Sequence, residues 1–538
     1  MNATSARGRW LGLVAISLGV ALIVVDSTIV NVAVPYIVRD LDLSSTEVQW
    51  VQESYTLVFA ATLLVFGAIA DRIGRRRLLV IGTVVFALAS VAAAFSATGP
   101  QLILTRVAQG VGGAMILPTS LSLINATFTG RERGIAFAVW GSTIGGMAAV
   151  GPLLGGWLTT AFSWRWAFGI NLPIGAAIIV GALLFVAESR SERRTALDWV
   201  GALLAAVGFA SLAFGLIEGR QYGWWTTSAR LELGSWSWPF DLSPIPVAFG
   251  ITILALGAFV LRGLHRTRTG RPNLVDFGLL RIPSFRNGNV VAMVVSLGEF
   301  GLILSLPIWL QNVQGLTALQ TGLVLISLAI GSFAASGVAA TAGSRLRPVT
   351  VVRIGLVAEI VGVGSAGLAV HSSSGWGWLV PCLFVYGVGV GLATAQLTSV
   401  VLVDVPVRLS GEGSGITSTA RQIGSALGVA VLGTVLYTGA QLTFQHSLDD
   451  AGVPAAVSGP LVDGVVNSSG GAIAGLAADP RTAPAAEQAK AAFSDGTAYA
   501  AWSAAAFLTL GLVASLSLGP ARRQDEVAEV PEPAGAAA

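Results

Sequence analysis

The chain has 538 residues, of which 54% are hydrophobic and 11% charged, where an ordinary soluble domain carries about 25% charged residues. With a formal charge of only +3 and a mean hydropathy of +0.75, this composition excludes a soluble globular protein and a nucleic-acid binder, and leaves one large integral-membrane helical bundle. A single cysteine, Cys382, and three scattered histidines exclude an intrachain disulfide and disfavour a zinc or Ser-His-Asp centre, so no metal, no cofactor and no enzymatic activity is expected.

A bilayer-crossing helix needs about 20 mostly apolar residues. Fourteen windows of about that length occur, near residues 11–36, 47–70, 77–97, 101–127, 134–160, 165–187, 197–217, 245–263, 287–312, 318–342, 349–369, 376–402, 411–439 and 496–519. The first contains Asp26 and Asn31 and lacks a small-residue cleavage site, so it reads as a retained span rather than a signal peptide. Between the second and third stands GAIADRIGRRRLLVIG, Gly67 to Gly82, in which Gly67, Asp71, Arg72, Gly74 and Arg75 are candidate gating residues at a turn between helices.

Arginine placement gives the orientation. With a cytoplasmic N-terminus, the inside loops hold Arg7 and Arg9, Arg72 to Arg77, Arg131 and Arg133, Arg190 to Arg194, a dense set from Arg262 to Arg286, Arg345 to Arg353, Arg408, and Arg522 and Arg523. Outside remain Arg39, Arg165, Arg220, Arg230, Arg481 and Lys490, roughly a fourfold bias to the inside. An even number of spans with both termini cytoplasmic satisfies it. The outside segment with Trp224, Trp225, Trp236 and Trp238 reads as interfacial anchors. The outside stretch from about Gln441 to Asp495 reads as disordered or as a small helical cap, and the tail after Pro520 as a disordered cytoplasmic end.

The Gly67 turn has a worn echo in GVAATAGSRLRPVTVVRIG, Gly337 to Gly355, with Thr341 where Asp71 aligns. GVGGAMILPTSL from Gly110 is likewise echoed by GVGVGLATAQLTSV from Gly387. Spans one to six therefore repeat as nine to fourteen, around a two-span insert. The divisions are residues 1–190, 191–285, 286–519 with the outer loop 441–495, and 520–538.

Two six-helix halves with a midplane site between them is the layout of major facilitator transporters. Six motifs in order carry a closer resemblance: LIVVDSTIVNVAVP in the first span; WVQESYTL in the second; the Gly67 loop after it; LTRVAQGVGGAMILP in the fourth; GPLLGGWLTTAFSWRWAFGINLPIG in the fifth and sixth; and TARQIGSALGVA in the thirteenth. Over nearly its whole length the chain resembles the 14-span drug:proton antiporters of the major facilitator superfamily, the EmrB/QacA-type multidrug efflux transporters. The resemblance implies export of amphipathic, cationic or aromatic compounds from the cell membrane by alternating access. Protons and the bilayer are the other partners, no nucleic acid is involved, and a monomer is expected. No G-x-x-x-x-G-K-[ST] nucleotide loop is present, so the proton gradient is the expected energy source. The alternative is export of a lipid or an endogenous secondary metabolite on the same fold.

Charged groups within spans are functional candidates because they are costly there. By helical rise, Glu53 lies about 10 Å and Arg106 about 8 Å below the outer ends of their spans, close enough in depth to pair, while Asp26 lies about 16 Å down, near the midplane. Asp26 and Glu53 are the expected proton-coupling and substrate acids, with Arg106 tuning them; the competing role for Asp26, with Thr28 and Asn31, is polar glue between helices. Glu299, Arg421 and Gln422 are the C-terminal counterparts, Glu299 being either a second site or half of a buried ion pair. Glu359 falls by the resembled fold in an outer-ring span and is expected to be a snorkelling or packing oddity outside the site. Gly145, Gly151, Pro152, Gly155 and Gly156 form the antiporter helix motif, where small residues permit close approach and the proline permits bending.

Overall fold

Caps and prolines divide the chain into helices at the expected places. Ser5, Asp198 and Ser243 each accept a backbone N–H of the turn they precede, and Gly74 turns between two helices at φ 113°, a conformation open to glycine and strained for other residues. In the computed structural model, which describes residues 5–43, 45–190, 198–233, 236–269, 271–342, 346–371 and 375–519, the order is helical almost throughout. The first six-helix set comprises α1 (Ala6–Leu41), α2 (Ser45–Ile73), α3 (Arg75–Ala94), α4 (Gly99–Thr127), α5 (Gly130–Ala161), α6 (Arg165–Gly169) and α7 (Asn171–Phe185), the last two being one predicted span broken at Ile170. An insert follows: α8 (Trp199–Tyr222), a two-residue hairpin of β1 (Glu232–Leu233) and β2 (Trp236–Ser237), and α9 (Pro244–Arg268). Then come α10 (Pro283–Asn312), α11 (Ala318–Ala342), α12 (Pro348–Ala369), α13 (Leu379–Leu402), α14 (Ser410–Asp450), α15 (Ala455–Asn467), α16 (Ala472–Ala478) and α17 (Ala483–Ala514).

Among the described residues eleven helices are long and apolar enough to cross a membrane, or twelve with bent α5 taken as one span. Helices α10 and α11 occupy the two remaining windows. The stretch from Gln441 to Asp495 is a helical cap, not a disordered loop. Helix α14 has 41 residues, so it is about 60 Å long, twice a hydrocarbon core, and its end projects with that of α17 to hold α15 and α16. The tail 520–538 lies outside the described residues.

Packing in one half recurs in the other. Helix α1 lies against α5 and α7, α3 against α4 and α7, and α2 against α4; correspondingly α10 lies against α14 and α17, α12 against α13 and α17, and α11 against α13. The halves meet where α5 touches α11 and α13, and where α14 touches α2 and α4. The insert attaches at one of these seams, α8 packing on both α2 and α14. Exposed leucines such as Leu88, Leu184, Leu203, Leu254 and Leu261 cover the outside of α3, α7, α8 and α9, the surface that lipid requires.

Candidate functional site

At the arginine-rich end, α2 crosses α14 where Gly67 faces Gly411 and Gly415; a Cβ on Gly67 would meet their backbone. This close approach brings Asp71 to the first turn of α14. Its Oδ1 accepts the Gly411 N–H at 2.9 Å and its Oδ2 the Glu412 N–H at 2.9 Å, so an anionic side chain caps the positive end of a helix in the other half. Arg75 donates to Asp71 at 2.6 and 3.0 Å, to the Val407 carbonyl at 2.5 Å and to Ser189 Oγ at 2.8 Å. The neighbouring Asn125 donates to Ser410 Oγ at 2.9 Å. Arg72 makes no hydrogen bond to this contact among the described residues: it donates to Ala68 O in its own helix and to Asn273 O in the segment after α9, and its charge lies within electrostatic reach of Glu412. Gly74 lies against the Glu188 carboxylate, which accepts the Arg76 and Arg77 N–H groups at the start of α3. The Thr341 side chain lies outside the described residues.

Deeper in the first half, Asp26 is fully buried and shared by three helices. Arg106 Nη1 donates to its Oδ2 at 2.6 Å, while Gln109 and Asn171 donate to Oδ1 at 2.9 and 2.6 Å. Ser90 of α3 accepts from Gln109 and Asn171, and Arg106 also donates to the Val51 carbonyl and lies 4.4 Å above the Tyr55 ring. The expected Glu53–Arg106 pair is thereby replaced by Asp26–Arg106. Val51 and Tyr55, one turn apart on α2, are the residues that face Arg106; Glu53 sits two positions from each, about 200° round the helix, toward α8. There it lies within the electrostatic reach of Glu218, a buried acid of the insert. Among the described residues the Thr28 hydroxyl bonds carbonyls of its own helix and packs against Gly151 of α5; the Asn31 side chain lies outside the described residues.

In the second half, Glu299 of α10 is buried, and its Oε1 accepts the Thr394 hydroxyl at 3.1 Å, with Tyr386 OH bonded to the Glu299 backbone carbonyl. Arg421 of α14 and Glu359 of α12 complete a charged cluster around it. Glu359 is therefore no outer-ring oddity: its carboxylate is wholly buried and faces inward beside Gly389 of α13. Counting spans gave its ring but not the side of the helix it occupies. Gln422, one residue beyond Arg421, instead lines an apolar pocket with Ala60, Phe209, Leu216, Thr419 and Ala426, between α2, α8 and α14.

The glycine motif of α5 divides between two interfaces. Gly151 and Gly155 lie against Thr28 and Ile29 of α1, within one half, whereas Gly145 and Gly156 lie against Ser332 and Leu319 of α11, across the seam. Pro152 cannot donate to the carbonyl four residues earlier, and α5 bends by 42° between Met147 and Val150. Gly424 and Gly428 of α14, four apart like Gly151 and Gly155, lie against the Met293 and Leu297 carbonyls of α10.

The family model of the Major Facilitator Superfamily matches residues 16–429. The chain belongs to the Major Facilitator Superfamily. A probable actinorhodin transporter of Streptomyces coelicolor is 34% identical over 455 residues, covering 82% of this chain and 75% of that protein. The multidrug efflux pump LfrA of Mycolicibacterium smegmatis is 32% identical over 519 residues, 96% of each chain. Among solved structures, a double-tryptophan mutant of XylE matches with TM-score 0.60 at 14% identity, over 96% of this chain and 97% of its own. The chain is thus a multi-pass cell-membrane protein with the major facilitator fold.

Gln109 and Asn171 are members of the fourth-span and sixth-span motifs, and their side-chain amides donate to Asp26, a role that spacing alone did not assign. Outside the spans, Asp198 anchors the insert. It accepts from the Gly201 N–H and from Arg262 at 2.9 and 3.1 Å. Burial opposes its charge, but the Arg262 hydrogen bonds, the Gly201 N–H and the charges of Arg262 and Arg266 outweigh burial and hold it below the usual carboxylate range.

Proposed function

We propose that this superfamily member is a proton-coupled antiporter that exports amphipathic, cationic or aromatic drug-like compounds, driven by proton entry. The reading uses fourteen spans as six, two and six, divided at about residues 190 and 285, with the arginine-rich end and both termini cytoplasmic. The relatives named as an actinorhodin transporter and a multidrug efflux pump support the substrate class.

The observation that carries proton coupling is Asp26. A charge at this depth costs several kcal/mol unless answered, and here it is answered by one guanidinium and two amides on α4 and α7. A proton on Asp26 removes the charge that holds Arg106, freeing α1 and α4 to separate. Glu53, which makes no ion pair among the described residues, and Glu299 supply further acids on the translocation path.

The test is Asp26→Asn in everted membrane vesicles. Uptake of a drug driven by an imposed pH gradient should fall at least tenfold with protein abundance unchanged. Full gradient-driven uptake by that variant would refute the assignment.

A further inference from the structure

Glu359 is unlike the other buried acids. It is 0% exposed, and neither carboxylate oxygen has a hydrogen-bond partner. Asp26 has three donors and Asp71 has two N–H groups and a guanidinium, whereas Glu359 has none. A buried carboxylate left ionised without donors is among the most costly arrangements a protein can hold, and neutralising it is the cheapest remedy.

The surrounding charges agree. Helix α13 presents Tyr386, and α10 and α14 bring Glu299 and Arg421 within electrostatic reach. Helix α17 brings no charge to this level: its last charged residue, Asp495, lies in its first half within electrostatic reach of His371 just past the end of α12, and Arg353, two turns from Glu359, donates to the Ser515 carbonyl at the other end. Two carboxylates therefore share one guanidinium among the described residues. Glu299 accepts the Thr394 hydroxyl and is the better-supported anion, which leaves Glu359 as the acid that carries a proton.

We propose that Glu359 is the proton-carrying group of the C-terminal half, protonated in this conformation and ionised at another stage of the cycle. On ionisation its O–H bond breaks, the proton leaves to water, and the electron pair remains on the carboxylate. Arg421, whose Nη2 is buried without a partner, then pairs with the new anion. The consequence reaches the latch. Arg421 lies ten residues along α14 from Gly411, about 15 Å, so a shift of α14 toward α12 moves the helix N-terminus that Asp71 caps. The cycle thus links a proton in one half to the contact that closes the cytoplasmic seam.

This inference rests on the antiport reading, and purified protein in liposomes separates the two. Wild type and Glu359→Gln are compared for drug exchange without a gradient, for uptake driven by a pH gradient, and for protons released per drug bound. Glu359→Gln mimics the protonated acid: exchange should persist within twofold, gradient-driven uptake should fall at least tenfold, and one proton fewer should be released. Unchanged uptake and proton count in Glu359→Gln, beside a coupled wild type, overturn the inference alone. A wild type that moves drug without protons overturns the antiport reading itself. Infrared spectroscopy of the wild type and Glu359→Asp gives an independent readout: a protonated-acid carbonyl band at neutral pH that shifts in the aspartate variant is expected, and absence of such a band overturns the proposal even where Glu359→Gln does not accumulate.

Discussion

Asp71 shows how much one side chain can join. Its two oxygens take two backbone N–H groups of α14 and the Arg75 guanidinium, so it ties α2, the start of α3 and the opposite half at one point. Asparagine would keep the size but lose the charge and turn an N–H₂ toward donors. Charge-assisted bonds of this kind contribute about 1.5–3 kcal/mol, about tenfold or more in an equilibrium. Asp71→Asn should therefore lower export by about that factor while drug binding, measured by tryptophan quenching, stays within twofold; unchanged export would reduce the motif to a topology signal. The sequence made Asp71 legible because it is the one acid in an arginine-rich turn. It did not make the Glu53 and Glu359 environments legible, because depth along a helix is counted in residues while the partner is set by rotation about the axis, and that depends on packing against helices far away in sequence.

Among the elements, the insert is held by its own charges. Asp198 caps α8 and receives Arg262 of α9, closing the α8–α9 pair at its arginine-rich end. Because its folded-state affinity for protons is lower than an unfolded carboxylate's, its contribution is complete above the ordinary carboxylate range and disappears as pH falls through the lower, folded value. Asp198→Asn should cost about 1–2 kcal/mol at neutral pH, seen as a lower melting temperature. The gap from wild type should close below about pH 4. A gap that widens on acidification would contradict this sign. The membrane-helical character was legible from hydropathy: among the described residues eleven helices, or twelve with bent α5, are long and apolar enough to cross a membrane, and they fall in the windows read from the sequence. The cap held by α14 and α17 was one of two readings, because short alanine- and glycine-rich segments have too little apolar surface to fold alone until α14 and α17 provide a face for Val462, Val465 and Ile473.

At the scale of the molecule, two halves share one packing plan and differ in chemistry. Helices α5 and α14 both use glycines four apart to approach α1 and α10, yet the first half encloses a fully bonded Asp26–Arg106 pair and the second an under-bonded Glu299–Glu359–Arg421 cluster. The acid of the first half is thus met by three side-chain donors, whereas Glu359 of the second half is met by none. Such asymmetry suits a cycle in which proton binding and helix movement alternate between halves. The repeat was legible in the Gly67 and Gly337 turns, whereas the division of charge roles was not, since it resides in hydrogen bonds between helices. The most direct measurement is proton movement during transport: purified protein in liposomes holding a pH-sensitive dye, given a cationic drug on one side. The account predicts drug-dependent proton flux in the opposite direction, lost in Asp26→Asn; drug flux at full rate with no accompanying proton flux would contradict it.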